Sequence, residues 1–282
     1  MSPKGCAGFL VREHGTDETN GTHVMDVLPT ILLGIYLCSF LVGVLLPALA
    51  AKQRFELLAL SCLPTGMVGL YYLHLVDNAP LYYSLRSVPC IELSSGLLGL
   101  GTGVVTREMH RRNMRLAVAV LVPAMAVVSM LPYVKNVFAP LDTKPLQERW
   151  DGPYCLQSTG HTCGPACLAT FLSLAGKKES ERDVACKSMT TASGTEVWYL
   201  ARYAREKGLE AGFEQVALEG LKGKRGIIGV KLGGGVAGHF LALLGCDGRA
   251  LEYVDPMTGH KTTDMDTFRR TYGYTGFLMS LK

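Results

Sequence analysis

Long apolar runs without charge are the feature that most limits how this chain can fold. The longest extends from Val27 to Ala51 and contains no Asp, Glu, Lys or Arg. At about 1.5 Å per helical residue, a run of this length exceeds the roughly 30 Å of a bilayer's hydrocarbon core. Further apolar runs follow, of which only the glycine-rich one holds a charge, Glu92. We therefore predict a bundle of four membrane spans over 27–138, at about 27–51, 57–76, 87–106 and 116–134.

Composition agrees with a chain made of two different halves. Hydrophobic residues make up 48% of its 282 residues and charged residues only 18%, against about 25% charged in an average soluble protein. The apolar runs are confined to the first half, so a membrane part followed by a globular part is indicated. A net charge of +4 is too small to indicate nucleic-acid binding, and no nucleic-acid partner is predicted.

The basic residues of the connecting loops predict which side each half faces. Lys52 and Arg54 lie between the first two spans, and four arginines lie between the last two, whereas the loop between the second and third spans holds only Arg86. Because Lys and Arg of short loops concentrate on the cytoplasmic side, the polar leader 1–26 and everything after about residue 135 are predicted to be extracytoplasmic. The location predicted is the cell membrane, with the lipid bilayer as a partner.

Two glycines in the third predicted span have the spacing of a close helix contact. Gly99 and Gly103 are separated by four positions, so both lie on one helix face and let a second helix approach. A homo-oligomer formed through this face of the bundle is one possibility that the sequence leaves open.

A globular domain is predicted over 153–282, after a linker at 139–152. Its predicted helices cover 164–175, 180–187, 195–207 and 264–271, and its predicted strands cover 211–216, 227–232, 240–244, 251–254 and 274–281. The strands are separated by Gly, Asp and Pro turns. Helices followed by antiparallel strands indicate an α+β layer arrangement.

One cysteine lies where a polar loop of this domain leads into an apolar helix. The loop and helix start read QSTGHTCGPAC from Gln157 to Cys167, and Cys163 precedes Gly164 and Pro165. Unpaired backbone N–H groups and the positive end of the helix dipole favour a thiolate there, and proline suits a first helical turn. Cys163 is therefore a candidate nucleophile.

A cysteine nucleophile needs a base and a group that orients the base. His239 begins one apolar strand and Asp255 ends the next. If these strands form a hairpin through 245–249, both residues fall at the same end of the sheet, as a Cys-His-Asp site requires. Gln157 can add a side-chain N–H to the backbone N–H of Cys163 and so complete an oxyanion hole.

Over about 154–281, these residues resemble the papain-like cysteine peptidases that remove double-glycine leaders from bacteriocin precursors. The resemblance rests on Gln157 with Cys163-Gly164-Pro165-Ala166, on Gly194-Thr195, on Gly238-His239-Phe240 and on Asp255-Pro256, in the family's order. It implies a papain-like fold, Cys163 as nucleophile, His239 as acid and base, Asp255 as orienting group and Gln157 as oxyanion donor. It also implies a peptide or protein substrate cut after small residues such as glycine.

In that family the peptidase is usually fused to an ABC exporter. Here the domain is expected on a membrane bundle instead, without an ATPase segment. The function predicted is therefore a membrane-anchored cysteine peptidase.

Three other interpretations remain open. One is a peptide-binding module on the same fold without turnover. A thiol-disulfide oxidoreductase would use Cys163 and Cys167, although three residues intervene where the redox motif has two. A metal site would use His161 with these two cysteines but lacks a fourth ligand.

No cofactor and no metal are predicted. The remaining cysteines of the domain form an even set, compatible with one or two disulfides in an oxidising compartment, and their pairing is open. These are Cys155, Cys167, Cys186 and Cys246.

Overall fold

The computed structural model describes residues 20–45, 79–89, 91, 94–130, 134–232 and 238–282. The chain divides into two units. The first comprises Met1–Asp77 with Val88–Val137, and the second comprises Asn78–Ser87 with Phe138–Lys282. The predicted span at 57–76 and the beginning of the predicted leader lie outside the described residues.

The described helices and strands follow each other in this order along the chain. The N-terminal half of the chain contains α1 (Asn20–Leu45), α2 (Ala79–Arg86), α3 (Ser94–Arg111), α4 (Arg115–Met130) and α5 (Val134–Phe138), of which α2 belongs to the second unit. Then come β1 (Arg149–Asp151), β2 (Tyr154–Leu156), α6 (Cys163–Leu174), α7 (Glu181–Lys187), α8 (Val197–Glu206), β3 (Ala211–Gln215) and a 3₁₀ turn at Leu218–Leu221. The last part contains β4 (Gly226–Leu232), β5 (Gly238–Cys246), β6 (Ala250–Asp255), β7 (Gly259–Asp264), α9 (Met265–Thr271) and β8 (Tyr272–Leu281).

In the first unit, α1 and α3 pack with their backbones in close contact. A Cβ atom at Gly99 would lie 2.3 Å from the carbonyl oxygen of Tyr36, and one at Gly103 would lie 2.2 Å from that of Phe40. Gly43 of α1 has the same relation to Leu100, at 2.3 Å. The glycine spacing seen in the sequence thus does bring helices together, and the helices it joins belong to one chain.

The predicted membrane bundle is wrong. In the part of the chain that the structure describes, no helix is both long enough and apolar enough to cross a membrane. Helix α4 has 16 residues, about 24 Å against the roughly 30 Å of a hydrocarbon core. Helix α3 carries Arg107, Glu108 and Arg111 in its C-terminal part. The predicted multi-pass location in the cell membrane, with an extracytoplasmic peptidase domain, is wrong for the same reason, and the lipid bilayer as a partner is left without support.

The second unit is built on an antiparallel sheet of six strands in the order β3-β8-β4-β5-β6-β7. Every neighbouring pair is antiparallel, and β5 and β6 form the hairpin that the sequence predicts, with Ala242 opposite Val254 and Cys246 opposite Leu251. The short pair β1-β2 lies outside this sheet. The predicted C-terminal antiparallel sheet is confirmed.

Neighbouring apolar side chains along the strands point to opposite sides, so the sheet has two apolar faces. One face packs against α6 and α8 through residues such as Ile227, Ala242 and Val254. The opposite face packs against α9 and the 3₁₀ turn through residues such as Leu241, Leu243 and Tyr253. Because side chains of a strand point alternately to opposite faces, β5 contributes to both cores and is held firmly in register.

Helix α2 belongs to the second unit although it precedes the rest of that unit by many residues. The Tyr83 ring lies 5.6 Å from Phe213 and 5.5 Å from Phe277, centroid to centroid. The guanidinium of Arg86 lies 5.3 Å from the centre of the Trp198 ring, and Arg86 is only 1% exposed.

The C-terminal end of α2 is fixed by two arginines of α8. Arg202 donates to the carbonyl oxygen of Arg86 at 2.6 Å, and Arg205 donates to the carbonyl oxygen and hydroxyl of Ser87 at 3.2 and 2.9 Å. Cations at this end also complement the negative pole of the helix dipole. The segment is thereby held by both aromatic packing and charge.

The contact between α1 and α3 predicts opposite effects for two glycine substitutions. We expect Gly103→Ala to lower the free energy of unfolding by about 1–3 kcal/mol, because its new Cβ meets backbone that cannot turn away. Gly34→Ala is the control, since nothing lies within 4 Å of a Cβ there. It should stabilise α1 by about 0.5–1 kcal/mol. Thermal unfolding followed by circular dichroism measures both, and equal stability of the two variants would contradict the packing.

Candidate active site

Cys163 is the first residue of α6 and is partly exposed. Thr162 precedes the helix with φ −108°, and its side chain makes no capping hydrogen bond to the first turn. The N–H groups of a first helical turn lack intrahelical acceptors and lie at the positive pole of the helix dipole. An anion is therefore favoured both at the sulfur of Cys163 and at a carbonyl oxygen that the sulfur attacks.

Gly164 lets this helix start approach the neighbouring elements closely. A Cβ at this position would lie 2.9 Å from Cδ1 of Leu200 in α8 and 3.4 Å from Cδ2 of Phe240 in β5. Phe240 directly follows His239 in the chain. The absence of a side chain at residue 164 thus lets Cys163 lie beside the beginning of β5.

His239 and Asp255 form a buried hydrogen-bonded pair at one end of the sheet. The Nε2 atom of His239 lies 2.9 Å from Oδ1 of Asp255, and the two residues are 5% and 4% exposed. With Nε2–H donated to the carboxylate, Nδ1 is the ring nitrogen that remains for Cys163. The sulfur of Cys163 lies close enough to the imidazole to contribute to the raised pKa of His239.

The charges of the pair stabilise each other. Burial alone would lower the pKa of His239, but hydrogen bonds to Asp255 and Cys163 and their negative charges raise it to about 9. Burial would raise the pKa of Asp255, but hydrogen bonds from His239, the Met257 N–H and Tyr272 hold it well below its usual range. The site therefore favours an imidazolium beside an ionised carboxylate at neutral pH.

Gln157 directly follows β2, at the start of the loop that leads to Cys163, and is 9% exposed. Its backbone N–H donates to the carbonyl oxygen of Pro256 at 2.9 Å, so it is tied to the residue after Asp255. Its side-chain Nε2 donates to the carbonyl oxygen of Thr159 at 2.7 Å. Its Oε1 is buried and has no hydrogen-bond partner among the described residues.

Two contacts at the site have no signal in the sequence. The buried carboxylate of Glu181, at the start of α7, accepts hydrogen bonds from the backbone N–H of Ser158, at 2.9 Å, and from its hydroxyl. It thereby fixes the residue next to Gln157. The hydroxyl of Tyr272 donates to Oδ2 of Asp255 at 2.8 Å. Both partners come from distant positions, and neither residue belongs to a recognisable motif.

The other cysteines of this unit are free thiols in different surroundings. Burial raises the pKa of Cys155 to about 12 and that of Cys167 well above its ordinary value, and nearby negative charges add to both effects. Such thiols are poor nucleophiles and poor partners for thiol exchange. Cys186 and Cys246 are free as well, so none of the disulfides left open by the sequence is formed.

His161 stays apart from the pair, and no metal centre is formed around it. Its side chain is exposed on the loop before α6, and its backbone N–H lies 3.4 Å from the Thr159 hydroxyl. Across the described ranges, no group of three or more His, Cys, Asp and Glu side chains is arranged to hold a metal ion.

Comparison with known proteins places this unit among peptidases. Residues 151–282 match the model of the peptidase C39 family. Over 117 residues the chain is 33% identical to an uncharacterized protein of Methanothermobacter thermautotrophicus, and the match covers 42% of this chain and 80% of that protein. All four candidate residues lie within the range matched by the family model.

Two solved structures are also similar. One is the crystal structure of a double glycine motif protease from an AMS/PCAT transporter in complex with the leader peptide, with 26% identity, 50% of this chain and 95% of that chain covered, and a TM-score of 0.40. The other is the peptidase domain of Streptococcus ComA, a bifunctional ABC transporter involved in a quorum sensing pathway. It has 20% identity, covers 49% of this chain and 96% of that chain, and has a TM-score of 0.39.

The His239–Asp255 pair predicts how the imidazole titrates. In Asp255→Asn we expect the pKa of His239 to fall from about 9 towards or below its ordinary value, because the carboxylate is lost while burial still opposes the cation. NMR titration of the His239 ring measures it. Asp247→Asn is the control, since Asp247 is exposed and accepts from backbone N–H groups of its own turn.

The raised pKa of His239 also makes the stability of the fold depend on pH. Because the pKa of His239 is higher in the folded state, the protonated imidazole stabilises the fold. This contribution is complete at pH values below the pKa of the unfolded state, near 6.5, and it is lost as the pH rises through the folded pKa of about 9. Asp255→Asn should remove this part of the pH dependence. An imidazole that titrates as before in Asp255→Asn would contradict the electrostatic account of the site.

Proposed function

Because the chain belongs to the peptidase C39 family, and is therefore a cysteine peptidase, we propose that it hydrolyses peptide bonds with Cys163 as nucleophile, His239 as acid and base, and Asp255 as orienting group. The observation that carries this assignment is the buried His239–Asp255 hydrogen bond beside a cysteine at a helix N-terminus. The catalytic domain we propose is the one predicted from the sequence, 153–282.

The first half of the reaction forms an acyl-enzyme. His239 holds the proton of the Cys163 thiol, and the thiolate attacks the carbonyl carbon of the scissile bond. The tetrahedral intermediate collapses when the C–N bond breaks, and the imidazolium gives its proton to the leaving amine. Asp255 keeps the ring oriented through Nε2 and stabilises its positive charge while Nδ1 exchanges the proton.

The second half releases the acid product. His239, now neutral, takes a proton from a water molecule that attacks the thioester carbonyl. The carbon–sulfur bond breaks, the product leaves with a new carboxyl group, and the sulfur returns as the thiolate paired with the imidazolium. One water is consumed for each bond cleaved, and no cofactor takes part in any of these steps.

Gln157 is the proposed side-chain donor of the oxyanion hole. Its amide nitrogen carries two hydrogens, and Thr159 accepts only one of them. The second N–H and the backbone N–H of Cys163 together supply two donors to the oxyanion. The hydrogen bonds to Thr159 and Pro256 support this role because they hold the amide in place before the substrate arrives.

The substrate proposed is a peptide or protein cut after small residues, with a pair of glycines as the preferred sequence. The support is the resemblance of the Cys163, His239 and Asp255 segments to double-glycine leader peptidases, together with membership of the family. A small residue next to the attacked bond leaves room for the carbonyl to approach the crowded start of α6, where Gly164 already packs against Leu200 and Phe240.

Removal of the sulfur tests the function directly. We expect Cys163→Ala to reduce hydrolysis of a peptide with Gly-Gly before the scissile bond by at least about a thousandfold, to background. Cys186→Ala is the matched control, because Cys186 is another partly exposed free thiol of the same unit. It should cleave like the wild type and should cut the Gly-Gly peptide faster than one with Leu-Leu at these positions.

Labelling with iodoacetamide at neutral pH separates the remaining alternatives. The peptidase requires that Cys163 be alkylated and that alkylation abolish cleavage. Peptide binding that survives in Cys163→Ala, with no product from the wild type, would instead identify a binding module. A reversible Cys163–Cys167 disulfide would identify an oxidoreductase.

The oxyanion role of Gln157 has its own measurement. Gln157→Ala should lower kcat by about 10²–10³ with little change in KM, because the lost N–H acts mainly in the transition state. Gln215→Ala is the control, since the Gln215 amide donates to the carbonyl oxygen of Thr275 away from the site. A Gln157→Ala variant in which only KM rises would show that Gln157 binds substrate and does not stabilise the oxyanion.

A further inference from the structure

The carboxylate of Asp255 has three hydrogen-bond donors around it, and only one of them is the catalytic imidazole. On Oδ1, it accepts from His239 and from the backbone N–H of Met257, both at 2.9 Å. On Oδ2, it accepts from the hydroxyl of Tyr272 at 2.8 Å. A rotation about the Cβ–Cγ bond would stretch the hydrogen bonds on both oxygens, so the donor on Oδ2 adds to the two on Oδ1 in holding the carboxylate in one orientation.

Tyr272 is itself held firmly in place. It is the first residue of β8, lies opposite Leu232 of β4, and is 5% exposed. Its ring lies 5.2 Å from that of Phe268 and 6.0 Å from that of Tyr253, at angles of 43° and 87°. The hydroxyl therefore has little freedom to leave Asp255.

Tyr272 also remains a donor at every pH at which the enzyme can work. Burial, followed by the hydrogen bond to Asp255 and its negative charge, raises the pKa of Tyr272 far above its ordinary value. The phenol thus stays protonated, and its hydrogen points to a carboxylate that stays ionised. Such a charge-assisted hydrogen bond is stronger than one between neutral groups.

We propose that Tyr272 is a positioning residue of this peptidase, whose hydroxyl fixes the rotation and the charge of Asp255 and through it the orientation and proton affinity of His239. The proposal rests on the proposed function, since it assigns the hydroxyl a task in the same reaction. Tyr272 touches no reacting atom. Its influence passes through Oδ2 to the carboxylate and through Oδ1 to the imidazole.

Two effects of losing the hydroxyl follow from this arrangement. A carboxylate with one donor fewer orients the imidazole less strictly, so kcat falls. The same carboxylate keeps more of its negative charge, so it attracts the imidazolium more strongly and the pKa of His239 rises above about 9. The alkaline limit of activity, where the imidazolium loses its proton, therefore moves to higher pH while the rate at the plateau decreases.

Tyr272→Phe tests this with the loss of a single oxygen and the ring packing unchanged. We expect kcat to fall about tenfold with KM altered by less than about twofold. We also expect the alkaline limit of activity to move to higher pH. Tyr274→Phe is the matched control. Tyr274 lies two positions further along the same strand, and its buried hydroxyl has no hydrogen-bond partner among the described residues. This control should keep the kcat and the pH profile of the wild type.

The rate at which iodoacetamide alkylates Cys163, measured as a function of pH, reports on the ion pair between Cys163 and His239 without any substrate. It distinguishes a failure of this proposal from a failure of the proposed function. Even if the wild type cleaves no peptide, the pH dependence of alkylation in Tyr272→Phe must still be displaced to higher pH relative to that in Tyr274→Phe. A purely structural role would lower the unfolding temperature and leave the profile where it was.

A double-mutant cycle shows whether Tyr272 acts through Asp255. In the Asp255→Asn background the carboxylate is gone, so adding Tyr272→Phe should change neither kcat nor the alkylation profile further. The proposal is overturned if Tyr272→Phe has the alkaline limit and kcat of the wild type. It is overturned as well if the full effect of Tyr272→Phe persists when Asp255 is replaced.

Discussion

The antiparallel pairing of β5 with β6 is the constraint on which the site depends. His239 is the second residue of the first of these strands and Asp255 ends the second, so the hairpin brings the two side chains to one end of the sheet. Both faces of β5 contribute to apolar cores, which fixes its register. A slip of one residue would turn His239 to the other face and separate it from its carboxylate. The stability of the sheet thus supports the geometry of the chemistry directly.

The contrast among the cysteines shows how position decides reactivity. Cys163 and Cys167 are one turn apart on the same helix, yet Cys167 is fully buried and its thiol is kept neutral by its apolar surroundings. Cys163, in contrast, lies at the uncapped start of the helix, beside the imidazole of His239. The same residue type therefore packs a core at one position and faces the solvent beside a base at the other.

Much of the second unit is readable from the sequence, because its patterns are local. The helix predicted at 164–175 is α6, Cys163–Leu174. The two strands on either side of the predicted 245–249 connection pair as a hairpin, although β5 extends to Cys246 and leaves only 247–249 between the strands. Strand β7 was missed because Gly259–Asp264 is polar and lies at the edge of the sheet, where alternation of apolar residues is not required.

Other features depend on contacts that no local pattern records. Hydropathy of the sequence predicts membrane spans from runs of apolar residues alone, but it does not record where the helices begin and end. Helix α4 is too short to cross a bilayer, and α3 carries charges at its C-terminal end. Tyr272 donates to Asp255, and Glu181 accepts from Ser158, yet both residues lie far along the chain from the groups they touch. Only the folded structure brings them together.

The docking of α2 onto the aromatic residues of the second unit makes that unit discontinuous in sequence. A fragment that began at residue 139, or at the start of the family match, would lose the tyrosine rings that pack on Trp198, Phe213 and Phe277. It would also lose the carbonyl oxygens of Arg86 and Ser87, which accept from the guanidinium groups of α8. Boundaries drawn from homology therefore understate the piece of polypeptide that folds as one body. A recombinant fragment for crystallisation or assay has to carry the 78–87 segment, either grafted through a short connector or added as a separate synthetic peptide that reassembles with it.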